Sequence, residues 1–382
     1  MSMVLNGWKN ISTKLARYTA MEFPNASKSK EKLNKIIKNF FMKKELKIPI
    51  PKYPWKYLES SLMFAFDEIE KRWIEEDYAY MGAESMRRYI NQNIIKVVPY
   101  MCPTTTNPDL LIPNCRFLLY ETYFDDYVEI MPLEEVKELR DRAFEVMTGD
   151  HARPEEIGMF RQMEQARKEW IANGIPQFWI ERMAKSFWEF VTYGIMEETH
   201  FKLTQTYPTL SRFLLIRSRS IGQIAFAHLI DPAVGSALPE HIYQHPVIQR
   251  VLFLQSIIIA IQNDFLSLRK ELATENETFN IILLLHHTHD LSLEEAFVKA
   301  MGIHDDFVVE LEEISQCLPD FGTYQKEVEN YVYHTKLMVT CLNEWYHRSG
   351  TKRYEPEGFA TPKYGIQGEK PLEFEIKYVR QK

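Results

Sequence analysis

The sequence predicts an all-α protein, a single-domain antiparallel bundle of helices, and three observations carry that expectation. From Trp55 onward helical periods of apolar residues follow one another with short breaks. The chain has 14 glycines among 382 residues, a low number that suits long helices, which exclude Gly from their interiors. No alternating strand pattern of useful length, no Gly-rich phosphate loop and no fixed-period repeat stands out.

Residues 1–54 read as an N-terminal extension. It is Lys-rich from Ser27 to Lys47, a pattern that fits a solvated helix face. It ends in Ile48-Pro49-Ile50-Pro51-Lys52-Tyr53-Pro54, which is unsuited to helix. The first 21 residues lack Asp and Glu and carry Lys9, Lys14 and Arg17; they read as an arm in preference to a targeting segment. Residues 55–354 hold the helical periods. Pro113-Asn114 is expected to open a helix, with Asn114 as its cap, running through Tyr127 and stopping near Pro132. A helix of about 26 residues begins after Pro246 and passes Lys270. Its first half is apolar on nearly every side, as befits a helix through the middle of a bundle. Further helices are expected from Ser292 and over Tyr324–Arg348. Residues 355–382 shift to Pro and Gly and read as a C-terminal tail or lid.

Composition narrows the function classes. With 45% hydrophobic and 13% aromatic residues the chain can build a large core. A net charge of −7 argues against nucleic acid as a partner, because such proteins carry a basic footprint. Cys102, Cys115, Cys317 and Cys341 form no CxxC pair and read as reduced, mostly buried thiols, which places the protein in the cytoplasm. The most apolar run, Val251 to Ile261, is too short to span a bilayer and is interrupted by Gln255 and Ser256. His286-His287-Thr288-His289 lacks the companions of a recognisable metal spacing and reads as a surface turn.

Two stretches carry chemistry. Asn263, Ser267 and Glu271 stand at i, i+4 and i+8 of the long helix, each step advancing about 40° and rising about 6 Å, so they form one polar stripe. An amide oxygen, a hydroxyl and a carboxylate make a hard, all-oxygen set suited to Mg²⁺. The second stretch is Asp125-Asp126-Tyr127-Val128-Glu129. Asp125 and Glu129 share a helix face, and acids so close repel one another unless a cation is bound.

Together the two stretches resemble the class I terpene synthase family of the microbial single-domain type, in which an aspartate-rich motif is followed much later by an NDxxSxxKE motif. The second motif is matched at Asn263, Asp264, Ser267, Lys270 and Glu271. Arg217, 46 residues before Asn263, stands where that family has a diphosphate-sensing Arg, and Arg353-Tyr354 where it has an Arg-Tyr pair. The resemblance covers about residues 55–354. It departs near the sensor: the helix-breaking position four residues on holds Ile221, with Gly222 next, so both are candidate effector residues.

The resemblance implies a bundle around a central apolar active-site cavity. It implies three Mg²⁺ ions, with Asp125 and Glu129 on one side and Asn263, Ser267 and Glu271 on the other. Asp126 would orient Arg353, while Arg217, Lys270, Arg353 and Tyr354 would bind the diphosphate of a linear isoprenyl substrate. Tyr120, Phe124 and Trp345 are candidate aromatic faces for the cyclising cation. Farnesyl diphosphate is the first expectation and geranylgeranyl diphosphate the second; a homodimer fits the family. A linear prenyl diphosphate synthase would carry a second aspartate-rich motif where this chain has the Asn/Ser/Glu set. A non-catalytic helical scaffold would release no diphosphate.

Overall fold

A computed structural model of the chain describes residues 44–273, 277–355, 358–359 and 374–380. The architecture is helical. The longer helices are α1 (Asp67–Asp77), α2 (Ala83–Gln92), α3 (Pro108–Val128), α4 (Leu133–Thr148), α5 (Met159–Ala172) and α6 (Gln177–Glu189). They continue with α7 (Met196–Thr204), α8 (Leu210–Ser220), α9 (Pro246–Ala273), α10 (Ile281–His289), α11 (Leu293–Gln316) and α12 (Gln325–Arg348). Two strands, β1 (Lys44–Ile50) and β2 (Phe374–Arg380), form a two-stranded sheet.

By compactness the chain divides into two units. The described part of the smaller one comprises residues 44–47 and 374–377, where Lys377 pairs with Glu45 at 2.6 Å. All of the helices among the described residues belong to the larger unit. Much of the expected N-terminal extension, including the arm and most of the Lys-rich run, lies outside the described residues, as does most of the segment expected as a tail. The strands themselves are a difference from the sequence expectation. Leu46, Ile48 and Ile50 alternate with exposed Glu45 and Lys47, but the alternation is short and crosses Pro49, so it is weak beside the helical periods around it.

α9 is the centre of the bundle. It packs against α8, α11 and α12, and Ile257, Ile258, Ile259 and Ile261 are at most 1% exposed. By composition it is the one helix among the described residues long and apolar enough to cross a membrane, and its most apolar stretch is 89% buried inside the protein. The helix starts follow side-chain chemistry. Thr209 caps α8 and Asn280 caps α10. Ser292 and Glu295 form a reciprocal capping box at α11.

α3 begins earlier than expected, at Pro108 with Asn107 as its cap, and Pro113 lies inside it. Pro113 has no N–H for the Asp109 carbonyl, and the Asn173 side-chain amide donates to that oxygen at 3.0 Å instead. Asn114 is therefore no cap. It is fully buried, accepts from Trp170 Nε1 at 2.9 Å and donates to the Leu229 carbonyl at 3.1 Å. The His286–His289 segment is the last turn of α10, not a turn between elements. It is exposed beyond His286. The four cysteines are free, three buried and Cys317 exposed.

Candidate active site

α3 and α9 both line one cavity. The cavity measures about 140 Å³, and both Asp125 of α3 and Asn263 of α9 line it, together with Arg217, Arg353 and Tyr354. A smaller polar hollow of about 50 Å³ shares Asp125, Arg217 and Ser220 with it and adds Glu129, Glu198 and Lys202. The floor is apolar and aromatic, with Leu118, Ile221, Phe226, Ile259 and Trp345.

The acidic wall is held by cations from distant parts of the chain. Arg353 donates to both oxygens of Asp126, at 3.0 and 3.1 Å, a two-pronged contact that fixes both side chains. Arg353 also donates to Gln92 Oε1 at 2.9 Å, and Gln92 in turn donates to the Gly358 carbonyl at 2.7 Å. Glu129 is met by Lys202 at 3.2 Å, and the same ammonium reaches Glu198 at 3.0 Å and Glu277 at 3.5 Å. Burial opposes ionisation of Glu129, but Lys202 and Lys270 outweigh it and hold the carboxyl below its ordinary range. Asp125 makes no such ion pair among the described residues. Burial, reinforced by the adjacent Asp126, pushes its carboxyl up to about 7.

Arg217 links helix to helix beside Asn263. Its guanidinium donates to Asp264 Oδ1 at 2.7 and 2.9 Å and to Asn263 Oδ1 at 3.0 Å. Asp264 also accepts from the Ile281 backbone N–H at 2.9 Å, so this fully buried acid ties α8, α9 and the start of α10 together. The Asn263 amide donates to Tyr354 Oη at 2.9 Å. Glu271 accepts a short hydrogen bond from the Asn280 amide. Burial and then Glu277 push the Glu271 carboxyl up to about 8. The buried Ser267 hydroxyl lies near Glu271 but makes no hydrogen bond of good geometry.

Two backbone irregularities shape the cavity. α6 runs into α7 through a π-helical turn, Phe190–Ile195, which sets Phe190 in the cavity wall. A Cβ on Gly194 within that turn would lie 2.6 Å from the Ser220 backbone, so glycine permits the close crossing with α8. α8 ends at Ser220 with Ile221 as its C-terminal cap, and Gly222 follows at φ +70°, a conformation suited to glycine. Ile221 lines the cavity; Gly222 makes the break.

The structure corrects the placing of two aromatic residues. Tyr120 and Phe124 do not line the cavity. They sit 0% exposed in the core against Phe187, with ring centroids 5.3 and 5.1 Å away. The cavity face of α3 is that of Leu118, Glu121, Thr122 and Asp125, and Tyr120 and Phe124 each fall about 100° round the helix from a member of it. Phe190 and Phe226 supply aromatic faces that sequence reasoning missed, beside Trp345. Lys202, Gln92, Asn280 and Glu121 were also missed. Only spatial proximity singles them out, except that Glu121 could have been found as one turn before Asp125.

Residues 116–310 match the family model described as terpene synthase family 2, C-terminal metal binding. The chain belongs to this family. It is a terpene cyclase, a lyase acting on diphosphates, with a metal-binding domain. It is 26% identical over 176 residues to 10-epi-cubebol synthase of Sorangium cellulosum, covering 46% of this chain and 55% of that one. It is 23% identical over 302 residues to pristinol synthase of Streptomyces pristinaespiralis, covering 76% of this chain and 80% of that one. Among solved structures, 2-methylisoborneol synthase of Streptomyces coelicolor, determined with Mg²⁺ and 2-fluoroneryl diphosphate, matches with a TM-score of 0.69 at 19% identity. That likeness covers 81% of this terpene synthase and 98% of the other chain, and it shows the shared fold.

Proposed function

We propose that this cyclase uses Mg²⁺ to ionise farnesyl diphosphate and close the resulting cation into a cyclic terpene, with geranylgeranyl diphosphate as the alternative substrate. The observation that carries the reading is that Asp125 and Asn263 line the same cavity. The preference for the C15 chain rests on its prevalence in the family that the motifs resemble.

The donor set fits a hard cation. Asp125 is a half-buried carboxyl without an ion-pair partner among the described residues, the Ser267 hydroxyl lacks a hydrogen bond of good geometry, and Glu271 accepts from the Asn280 amide. Asp125 and Glu129 would hold metal on the acidic wall, and Asn263, Ser267 and Glu271 on the other; three ions are expected with substrate. Bound there, Mg²⁺ supplies Lewis-acid neutralisation of the leaving diphosphate.

The protein's own groups do the rest. Arg217, Lys270, Arg353 and Tyr354 bind the diphosphate oxygens, the cations through charge-assisted hydrogen bonds. Asp126 orients Arg353 through the two-pronged contact. Ile221 and the break at Gly222 present the end of α8 to the substrate as the effector. The apolar floor excludes water from the cation, while Trp345, Phe190 and Phe226 offer it aromatic faces.

The test offers purified enzyme each of the C10, C15 and C20 diphosphates without isopentenyl diphosphate. Diphosphate release and products by gas chromatography–mass spectrometry are followed with and without Mg²⁺. A cyclic product from the C15 substrate, dependent on Mg²⁺, is expected. Release of no diphosphate from any chain length would overturn the reading.

A further inference from the structure

Glu121 is a buried acid that the reading above does not use. It stands one helical turn before Asp125 on the same face of α3, about 6 Å along the axis. The two carboxyls differ in what surrounds them. Asp125 borders both the large cavity and the polar hollow with Lys202, whereas Glu121 borders the large cavity alone. Glu121 is 4% exposed and makes no hydrogen bond or ion pair to another described residue. Its cavity neighbours include the uncharged Leu118, Phe190, Phe226 and Trp345, while Arg353, on the same cavity, offsets the effect of burial only in part. Its Oε1 would lie 1.8 Å from a Cβ on Gly222, so the carboxyl fills the space that glycine leaves at the α8 break.

A buried acid without an ion pair is unfavourable for folding, and its place on the cavity points to chemistry. We propose that Glu121 is a catalytic acid and base that gives a proton to the cyclising hydrocarbon and later takes one back, and so decides which product leaves. The inference rests on the terpene cyclase reading and names a residue of that same site. Burial, reinforced by Asp125, raises the carboxyl well above its ordinary range, so it enters the reaction holding a proton.

The steps balance. The first cation loses a proton to the departing diphosphate and becomes a neutral cyclic olefin. The Glu121 O–H bond breaks as its proton bonds to one carbon of a C=C, whose π pair forms the new C–H bond. A second cation and a carboxylate result, facing each other in a medium of low dielectric. The carboxylate then removes a proton from a carbon next to the final cationic centre. That C–H pair becomes the last C=C, and Glu121 is restored as the acid.

The test is turnover in D₂O, where the carboxyl exchanges with solvent before substrate enters and carbon-bound hydrogen does not. Mass spectrometry of the wild-type product should show one deuterium per molecule. The Glu121→Gln product should carry none and should be the earlier olefin, with one ring fewer, whatever the rate of diphosphate release. Glu121→Asp, whose carboxyl is one methylene shorter, should restore part of the label and serves as the comparison if Glu121→Gln fails to fold. An unlabelled wild-type hydrocarbon or alcohol formed with diphosphate release overturns the role of Glu121 and leaves the cyclase reading standing. Label retained in full by Glu121→Gln overturns it likewise. No diphosphate release from the wild type overturns the cyclase reading, and the inference with it.

Discussion

The two walls of the cavity mouth are built on different principles. The acidic wall of α3 depends on cations that arrive from elsewhere: Arg353 from beyond α12 for Asp126, and Lys202 from α7 for Glu129. On the α9 side Asn263 borders the cavity, Ser267 and Glu271 follow it on successive turns of the same helix, and the Arg217–Asp264 pair stands beside Asn263. One wall is a set of charges balanced by long-range contacts; the other is a local stripe on a rigid core helix. The acidic wall should therefore be the more sensitive to loss of a single distant residue, and the α9 wall the more sensitive to changes within its own helix.

The largest effect is expected when both walls are altered together. Asp125→Asn with Glu271→Gln should lower Mg²⁺-dependent diphosphate release by about a thousandfold or more, since metal neutralisation of the leaving group is removed. Turnover close to wild type would show that these carboxyls are not the metal-binding set. Next, Arg353→Met leaves Asp126, at 3% exposure, buried without its partner. Breaking such a pair typically costs about 3–5 kcal/mol, so the melting temperature should fall by several degrees together with activity. An unchanged melting curve would mean that Asp126 finds another partner.

Lys202→Met probes the same wall from the other side. Glu129, Glu198 and Glu277 then face each other uncompensated, and the metal-free protein should lose about 2 kcal/mol, measured by denaturant unfolding. Added Mn²⁺ should recover more stability in this variant than in the wild type. Equal gains would argue that the ammonium does not balance a cation-binding cluster.

The pH dependence separates the walls less strongly. Asp125 at about 7 and Glu271 at about 8 lie above ordinary carboxyl values, so the folded, metal-free protein holds protons that the unfolded chain has released. Their contribution to stability is complete below the unfolded values and is lost as pH rises through the folded ones. Metal requires the ionised forms, so the Mg²⁺ concentration for half-maximal activity should fall as pH rises from about 6 to about 8.5. A flat profile would contradict the raised values. The smallest effect belongs to Tyr120→Phe. Its hydroxyl is buried without a partner and its ring faces Phe187, so stability should hold or rise slightly and the product profile should not change.

The comparison also explains what the sequence revealed. The α9 stripe was legible because its members are spaced by one helix and lead straight out of a run of isoleucines. The separation of Arg217, Asn263 and Arg353-Tyr354 was legible through family resemblance, and the three are joined by hydrogen bonds in the structure. The face of α3 was misjudged for Tyr120 and Phe124, because a helix that is buried nearly all round gives no amphipathic signal to tell cavity from core. Lys202, Gln92 and Asn280 were illegible for a different reason: each is an ordinary polar residue until folding sets it against its partner. The start of α3 was misplaced because Pro113 reads as a helix opener, and only the Asn173 amide makes it tolerable inside.

The most direct test of the two-wall account is calorimetric titration of inorganic diphosphate into the protein with and without Mg²⁺. Binding should require Mg²⁺, and both Asp125→Asn and Asn263→Ala should weaken it by about tenfold or more. Equally tight binding without Mg²⁺, or unchanged affinity when either wall is altered, would contradict the claim that the two walls hold metal and diphosphate jointly.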